Sequence, residues 1–255
     1  MRPIIVATVD DAPAGAPSAD VVLAPSGGND IRHVLHGDKA PIHLTSYRLA
    51  PGTRLEWARP ERCRTLFVQT GALMINGQKF GPDSVIVVES DGHCMAEAGP
   101  DGAAFHEFLH QRERSPHRGG KVHAIAGGES PVTRHDGIDS ALPADSTCPG
   151  CGVWLQDTFF HVEGRLVDLH SHTEDEVIFV LEGELLAGPR KLGPGSALSV
   201  AKNTVYSFIV GKGGLRFINY RPSRPYYVAH GSDEVRDERG IYANLGVTPG
   251  MHMVL

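Results

Sequence analysis

An all-β chain built from two copies of one unit is what this sequence predicts, and three observations carry that expectation. The first is an internal repeat at a constant offset of 112 residues. Gly52 falls on Gly164, Gly71 on Gly183, Gly81 on Gly193, Pro82 on Pro194 and Ser84 on Ser196. LFVQTGALM (66–74) overlies IFVLEGELL (178–186), and Phe105 overlies Phe217, with no gap in the span. Self-similarity at one fixed spacing marks two copies of a structural unit. The second is the local pattern, in which strand-length apolar runs are separated by turn residues, with 30 Gly and 18 Pro in 255 residues. The third is that helical periodicity is missing except for a short turn-like stretch from Ser232 to Glu238.

The repeat divides the chain. Residues 1–40 form a polar lead segment with a few apolar anchors, and the first barrel-sized unit runs over 41–112. Residues 113–150 are rich in Gly, Pro, Ser, Asp and His, with only VHAIA apolar, and read as a partly ordered linker. The second unit covers 151–222. The segment 223–255 keeps Tyr226, Tyr227, Ile241, Leu245 and Val247, too apolar for a loose end, and is expected to pack on a barrel or on a partner subunit.

The second unit carries the chemistry. Leu166, Asp168, His170 and His172 alternate along one strand, so their side chains share a face. Thr173 to Asp175 is turn-like, and Glu176 opens the next apolar run. The pattern G-x5-H-x-H-x3-E-x6-G therefore brings two imidazoles and a carboxylate to one place. That donor set suits one divalent transition metal, whether Fe, Ni, Mn, Zn or Cu. If Glu163–Gly164 is a two-residue hairpin turn, Asp157 lies opposite His170, and Asp157, Phe159 and His161 point the way the ligands do. Asp157 is then either a partner holding the free ring N–H of a ligand histidine or a solvated strand-end aspartate. His161 is either a proton-transfer group or a satisfied barrel residue. Of Asn219 and Tyr220, opposite in phase, one should face inward.

Gly164–Gly183 resembles the first conserved motif of the cupin superfamily. GPRKLGPGSALSVAKNTVYSF (188–208) resembles the second, with Pro194 and Gly195 at its turn. In two places it departs from that pattern: Ala201 stands where a proline is usual, and Tyr206 where the fourth ligand, a histidine, is usual. With the repeat, the resemblance implies a bicupin: two double-stranded β-helix, jelly-roll-like barrels in tandem, with a metal near the mouth of one.

Shifting each ligand column by 112 residues gives Ala58, Pro60, Arg64 and Cys94. None of the first three can ligate, and Arg64 would repel a cation, so the first barrel is expected to be metal-free. His93 neighbours Cys94, but adjacent strand residues point to opposite faces. Tyr206 has two possible roles. It either ligates as phenolate or stands off as a neutral phenol for general-acid or orienting work; the second is expected because it needs no proton loss. The bland reading is that it only fills the barrel.

Charge and composition narrow the function. A net charge of −6, a pI near 6.1 and no basic stripe argue against nucleic acid. No apolar stretch approaches the roughly 18 residues of a membrane span, and MRPIIVATVDDAPAG lacks a signal-peptide core, so the chain is expected in the cytoplasm. Cys63, Cys94, Cys148 and Cys151 are too few and scattered for a disulfide framework. Cys148 and Cys151 form a C-x2-C that reads as a turn entering the second barrel, with a redox pair or a metal shared with a nearby histidine as alternatives. Three protein ligands leave a metal with open positions, as catalytic sites do. The expected function is a metal-dependent enzyme acting on a small oxygen-rich metabolite by dioxygenase-type or related chemistry. Isomerase, lyase or hydrolase chemistry, or a non-enzymatic small-ligand binder or sensor, are the competing readings. A monomer or homodimer is expected.

Overall fold

The computed structural model describes residues 4–18, 20–24, 27–111, 119–232, 234–238 and 253–255. Every regular element among them is a β-strand. The repeat reappears as structure. In the first unit, β4 (Ile42–Leu49), β5 (Arg54–Ala58), β6 (Arg64–Ile75), β7 (Gln78–Phe80), β8 (Val85–Val88) and β9 (His93–His110) follow in order. In the second they are matched by β13 (Trp154–Phe160), β14 (Leu166–His172), β15 (Glu176–Ala187), β16 (Arg190–Leu192), β17 (Ser196–Val200) and β18 (Tyr206–Arg221). Arg64 and Ile75, moved by 112, are Glu176 and Ala187, so β6 and β15 coincide to the residue.

Gly71 and Gly183 show what the repeat preserves. Both have left-handed backbone, φ +69° and +72°. A Cβ there would stand 2.2 Å from the Gly102 carbonyl oxygen or 2.0 Å from that of Gly214. Gly102 and Gly214 are also one repeat apart. Only glycine permits both the conformation and the close approach.

Each unit closes into a barrel because its last strand serves both sides. The start of β18 pairs with β14 over 206–209, and its end pairs with β13 over 215–221. Gly211, Gly213 and Gly214 lie between the two halves. β9 does the same for β5 and β4.

The flanking segments complete both sheets. From the lead, β1 (Ile4–Thr8) pairs with β17, whereas β2 (Val21–Ala24) pairs with β5, and β3 (Asp30–Leu35) pairs with β4. The stretch expected as a linker carries three strands: β10 (Val122–Ile125) on β8, and β11 (Val132–His135) and β12 (Ile138–Asp145) leading onto β13. Open sheet edges offer backbone partners to segments that lack a strong apolar pattern of their own, which is why composition alone suggested a linker. In the C-terminal segment, β19 (Tyr226–Ala229) pairs with β14, and β20 (Val235–Asp237) stands where a helical turn was expected. β21 (Met253–Val254) pairs with β10. Ile241, Leu245 and Val247 lie outside the described residues.

Each barrel has its own apolar core, and a third core lies between them. There Leu44, Phe67 and Phe108 meet Leu155, Phe179 and Tyr220. Phe108 and Tyr220, one repeat apart, stack at 5.1 Å between ring centroids. The two copies therefore pack as a pseudo-dimer.

Candidate metal centre of the second barrel

His170 stands across from Tyr206 in the β14–β18 ladder. His172, two residues on, points the same way. Glu176 opens β15, and Asn219 and Arg221 share the inward face at the end of β18. All six are buried, as is Glu238, which follows β20. Sequence reasoning placed four of them. It also left Asn219 and Tyr220 as alternatives, and Asn219 is the inward one: its Nδ2 donates to Glu176 Oε2 at 3.0 Å, while Tyr220 packs in the core between the barrels.

The ring nitrogens can be assigned from their partners. His170 Nδ1 lies 2.6 Å from the Asp168 carbonyl oxygen, which only accepts, so that nitrogen carries the proton and Nε2 keeps a lone pair. His172 Nε2 lies 3.0 Å from Arg221, whose guanidinium only donates, so here too Nε2 is the acceptor. Its Nδ1 approaches Glu238 Oε1 at 2.6 Å, close but not well aligned. Both imidazoles thus hold the tautomer a metal ligand needs, with Nδ1 of His170 hydrogen-bonded to an oxygen and Nδ1 of His172 close to one.

Sequence reasoning missed Glu238, and it also missed Arg221. Its guanidinium donates to Glu176 Oε2 at 3.0 and 3.2 Å and to Glu238 Oε2 at 2.9 Å. It fills the space between His172 Nε2 and Glu176 Oε2, which are 3.8 Å apart. Burial pushes the Glu176 carboxyl up, but His172, Arg221 and the neighbouring hydrogen-bond donors outweigh it and hold it below the usual range. Burial likewise opposes charge on Glu238, yet Arg221 and His172 bring its carboxyl down to about 2. Burial, then the Glu176 charge, pushes the Tyr206 phenol well above its ordinary value, so it is neutral. Burial lowers His170.

In kind, the donors fit a divalent cation: two Nε2 lone pairs, and on Glu176 an oxygen, Oε1, with no aligned hydrogen bond. The position is contested. With metal–ligand bonds of roughly 2.1 Å, an ion would have to stand where Arg221 now stands. Arg221 could have been suspected, because it lies two residues beyond Asn219 on the same strand. Glu238 comes from a segment whose path the pattern did not show.

Tyr227 roofs the site, stacked on His170 at 4.9 Å and 11°. Its other side lines an open groove of about 640 Å³ with Asp168, His230 and Arg236.

Two expected neighbours are elsewhere. β13 does not fold back on β14; it pairs with β12 and β18. Asp157 therefore meets Arg216, which donates to it at 2.7 and 3.2 Å, and not His170. His161 is exposed beyond the end of β13, packed on Phe159 and 3.4 Å from Asp139. The hairpin assumption failed because left-handed Gly164 lies in a turn that carries the chain across to the other half of β18.

In the first barrel, Arg64 occupies the Glu176 column. It contacts Asp20, and its Nη1 lies 3.5 Å from Glu107, in the Asn219 column. Glu107 also accepts from Tyr47 and Trp57 at 3.1 and 3.0 Å. Cys94 is buried and His93 is exposed, on opposite faces.

No protein-family profile and no curated protein matches this sequence. Solved structures do match in fold. Oxalate decarboxylase of Bacillus subtilis, in a point-mutant form, superposes with a TM-score of 0.67 at 13% identity over 95% of this chain and 84% of that one. A formate complex of Lactobacillus farciminis oxalate decarboxylase gives 0.66 at 10% identity, over 96% and 94%. A Pseudomonas aeruginosa protein described as glyoxylate-induced gives 0.65 at 13% identity, over 86% and 88%. Taken with the two closed barrels and their residue-by-residue repeat, these likenesses show that the chain has the cupin fold in a two-barrel form.

Proposed function

We propose that the second barrel is a metal-dependent active site for a small, oxygen-rich, anionic metabolite, with His170, His172 and Glu176 as ligands and a dioxygenase-type or related metal-assisted reaction. The observation that carries this reading is the pair of buried imidazoles beside the Glu176 carboxylate, each with an oxygen close to Nδ1 and with Nε2 left as the accepting nitrogen. A divalent ion held there would supply Lewis acidity toward a substrate oxygen and, if redox-active, access to dioxygen chemistry.

The protein's own groups have separate tasks. Arg221 would give up Glu176 and His172 while keeping Glu238, and its freed N–H fork suits a carboxylate in bidentate fashion. Two of the structural neighbours are oxalate decarboxylases, one of them in complex with formate, and a third is described as glyoxylate-induced; all three compounds are small carboxylates. Asn219 keeps Glu176 oriented. Neutral Tyr206 is placed to donate or direct a proton. Tyr227 must move aside for a substrate to enter from the outer groove. We further propose that the protein acts in the cytoplasm as a monomer or homodimer; light scattering showing a hexamer would contradict the second point.

One observation favours a second reading. Arg221, saturated by two carboxylates, is what a permanently metal-free barrel that binds or senses a ligand without catalysis would contain. Elemental analysis of anaerobically purified protein, followed by an oxygen-uptake screen on small carboxylates, decides. The enzyme reading expects an ion that is lost in His170→Ala/His172→Ala, and turnover falling by roughly 10²-fold in Tyr206→Phe with that ion retained. Wild type that takes up no ion in this barrel, while Arg221→Met does, would support the metal-free reading.

A further inference from the structure

A second group of metal-type side chains lies outside this barrel. Glu89 follows β8, His123 is on β10, and Cys148 and Cys151 belong to the turn between β12 and β13. One ligand atom from each falls within 4.8 Å of all the others. Glu89 and His123 are buried, and the cysteines are half-buried.

Two of the four side chains converge on one oxygen of a third. His123 Nε2 lies 2.6 Å from Glu89 Oε1, and the Cys148 thiol donates to the same oxygen at 3.0 Å. Cys148 Sγ is 3.5 Å from His123 Nε2. The other Glu89 oxygen is held by the Lys121 N–H at 3.0 Å, so the carboxylate is oriented from behind. Two glycines make room for it: a Cβ on Gly119 would stand 1.5 Å from Glu89 Oε2, and one on Gly150 2.4 Å from Oε1. The turn is shaped locally. The Asp145 carboxylate accepts from the Thr147 N–H at 3.1 Å, and the Cys148 carbonyl accepts from the Gly152 N–H at 2.8 Å. Beside it is a cavity of about 10 Å³, lined by His123, Cys148 and Cys151 with Val87, Ala144 and Val153. That is room for about one small particle.

We propose that Glu89, His123, Cys148 and Cys151 form a closed, four-ligand zinc site that staples the first barrel to the turn entering the second. Two thiolates, an imidazole and a carboxylate make a tetrahedral set with no open position, the mark of a structural site. Binding releases one proton from each thiol to solvent, Zn²⁺ replacing two H⁺ with no change of oxidation state. The short contacts to Glu89 Oε1 widen by less than about 1 Å to reach tetrahedral edges around Zn–S and Zn–N bonds of roughly 2.3 and 2.0 Å. The inference does not depend on the second-barrel reading, and it raises the expected ions from one per chain to two.

The test uses the full chain, purified under reducing conditions, with zinc content measured and cobalt(II) then exchanged in. The expected results are tightly held zinc and, with cobalt, an intense thiolate-to-metal charge-transfer band with tetrahedral visible absorption. The band and one equivalent of zinc per chain disappear in Cys148→Ser/Cys151→Ser, and both persist in Cys63→Ser and in His170→Ala/His172→Ala. Glu89→Gln, which keeps both thiols, should weaken cobalt binding by at least about 10-fold. Wild type giving no charge-transfer band, a band that survives loss of both thiols, or a Cys148–Cys151 disulfide in freshly isolated protein would each overturn the proposal. Because the band reads thiolate ligation alone, an empty second barrel cannot be mistaken for failure here.

Discussion

The two barrels share a backbone and solve the same electrostatic problem in opposite ways. Each buries one arginine between two carboxylates, one of them borrowed from a flanking segment. In the first, Arg64 lies between Glu107 and Asp20 of the lead. In the second, Arg221 lies between Glu176 and Glu238 of the C-terminal segment. The cation has changed columns. Arg64 stands where the second barrel has Glu176, and Arg221 stands where the first has Leu109. In the first barrel the positive charge is built into the strand position that would otherwise ligate, and the two imidazole columns hold Ala58 and Pro60. In the second the ligand position is anionic, two imidazoles face it, and the arginine approaches from the strand end, where a metal ion could take over its role.

The largest expected effect separates a fixed cation from a replaceable one. Removing one partner of a buried ion pair costs about 3–5 kcal/mol, because the other charge is left without compensation. Arg64→Met and Arg221→Met should both be destabilised by about that much in chelator. With a divalent ion added, Arg221→Met should recover most of the loss and Arg64→Met none of it. Denaturant melts with and without metal measure this; equal rescue of both, or of neither, would break the proposed distinction.

A smaller effect should be the same in both barrels. Gly71→Ala and Gly183→Ala each force a left-handed alanine, about 1–2 kcal/mol, and drive its Cβ toward a backbone carbonyl. Their losses should agree within about 0.5 kcal/mol, the size of ordinary non-additivity. A larger gap would show that the two frames are not energetically equivalent.

These matched glycines explain what was legible in the sequence. Turn glycines and apolar strand positions answer to local sterics and burial, so the repeat fixed both barrels and their alignment. His170, His172, Glu176 and Tyr206 converge because strand alternation set their faces. Asp157 was misplaced because its position depends on which strand β13 pairs with, a long-range choice that no local pattern records. Glu238 was invisible for a related reason: the backbone pairing of β19 with β14 carries it in. The strands of 113–150 were hidden because their order comes from neighbouring edges.

Acid should loosen the molecule in steps. His106, on β9, is fully buried against Phe179 at the contact between the barrels, and burial lowers its pKa to about 3. The unfolded chain takes up that proton near 6.5. Its contribution to stability is therefore complete above that pH and is lost as pH falls from 6.5 toward 3. Glu238 is a carboxylate lowered from 4.5 to about 2, so its contribution holds above 4.5 and fades only below it. A tenfold difference in proton affinity between the folded and unfolded chain is worth about 1.4 kcal/mol. The barrels carry one buried tryptophan each, Trp57 and Trp154. Burial lowers His170 of the second barrel too, so in single-tryptophan variants Trp57 and Trp154 should both report loosening as pH falls below 6.5, and Trp154 a further step below 4.5 as Glu238 takes up its proton. A Trp154 signal with no step below 4.5 would show that Glu238 docking adds nothing to the second barrel.

The smallest expected change concerns the column shared by Cys94 and Tyr206. In the first barrel, Cys94 is buried and burial pushes its thiol up to about 12, so it is a neutral filler. Tyr206 fills the same column but directs its hydroxyl toward Glu176, on a site that also holds Arg221 and two imidazoles. Tyr206→Phe keeps the ring against His170 and removes only the hydroxyl. The net value of one such polar contact is about 1 kcal/mol, so the melting midpoint should shift slightly. Metal affinity should not change, because a neutral phenol standing off the ion contributes no ligand. Cys94→Ala, its counterpart, also loses little but through lost packing, and adding metal should leave its stability unchanged. A sharp fall in metal affinity for Tyr206→Phe would instead make the phenol a fourth ligand, and the second barrel would then differ from the first in all four columns.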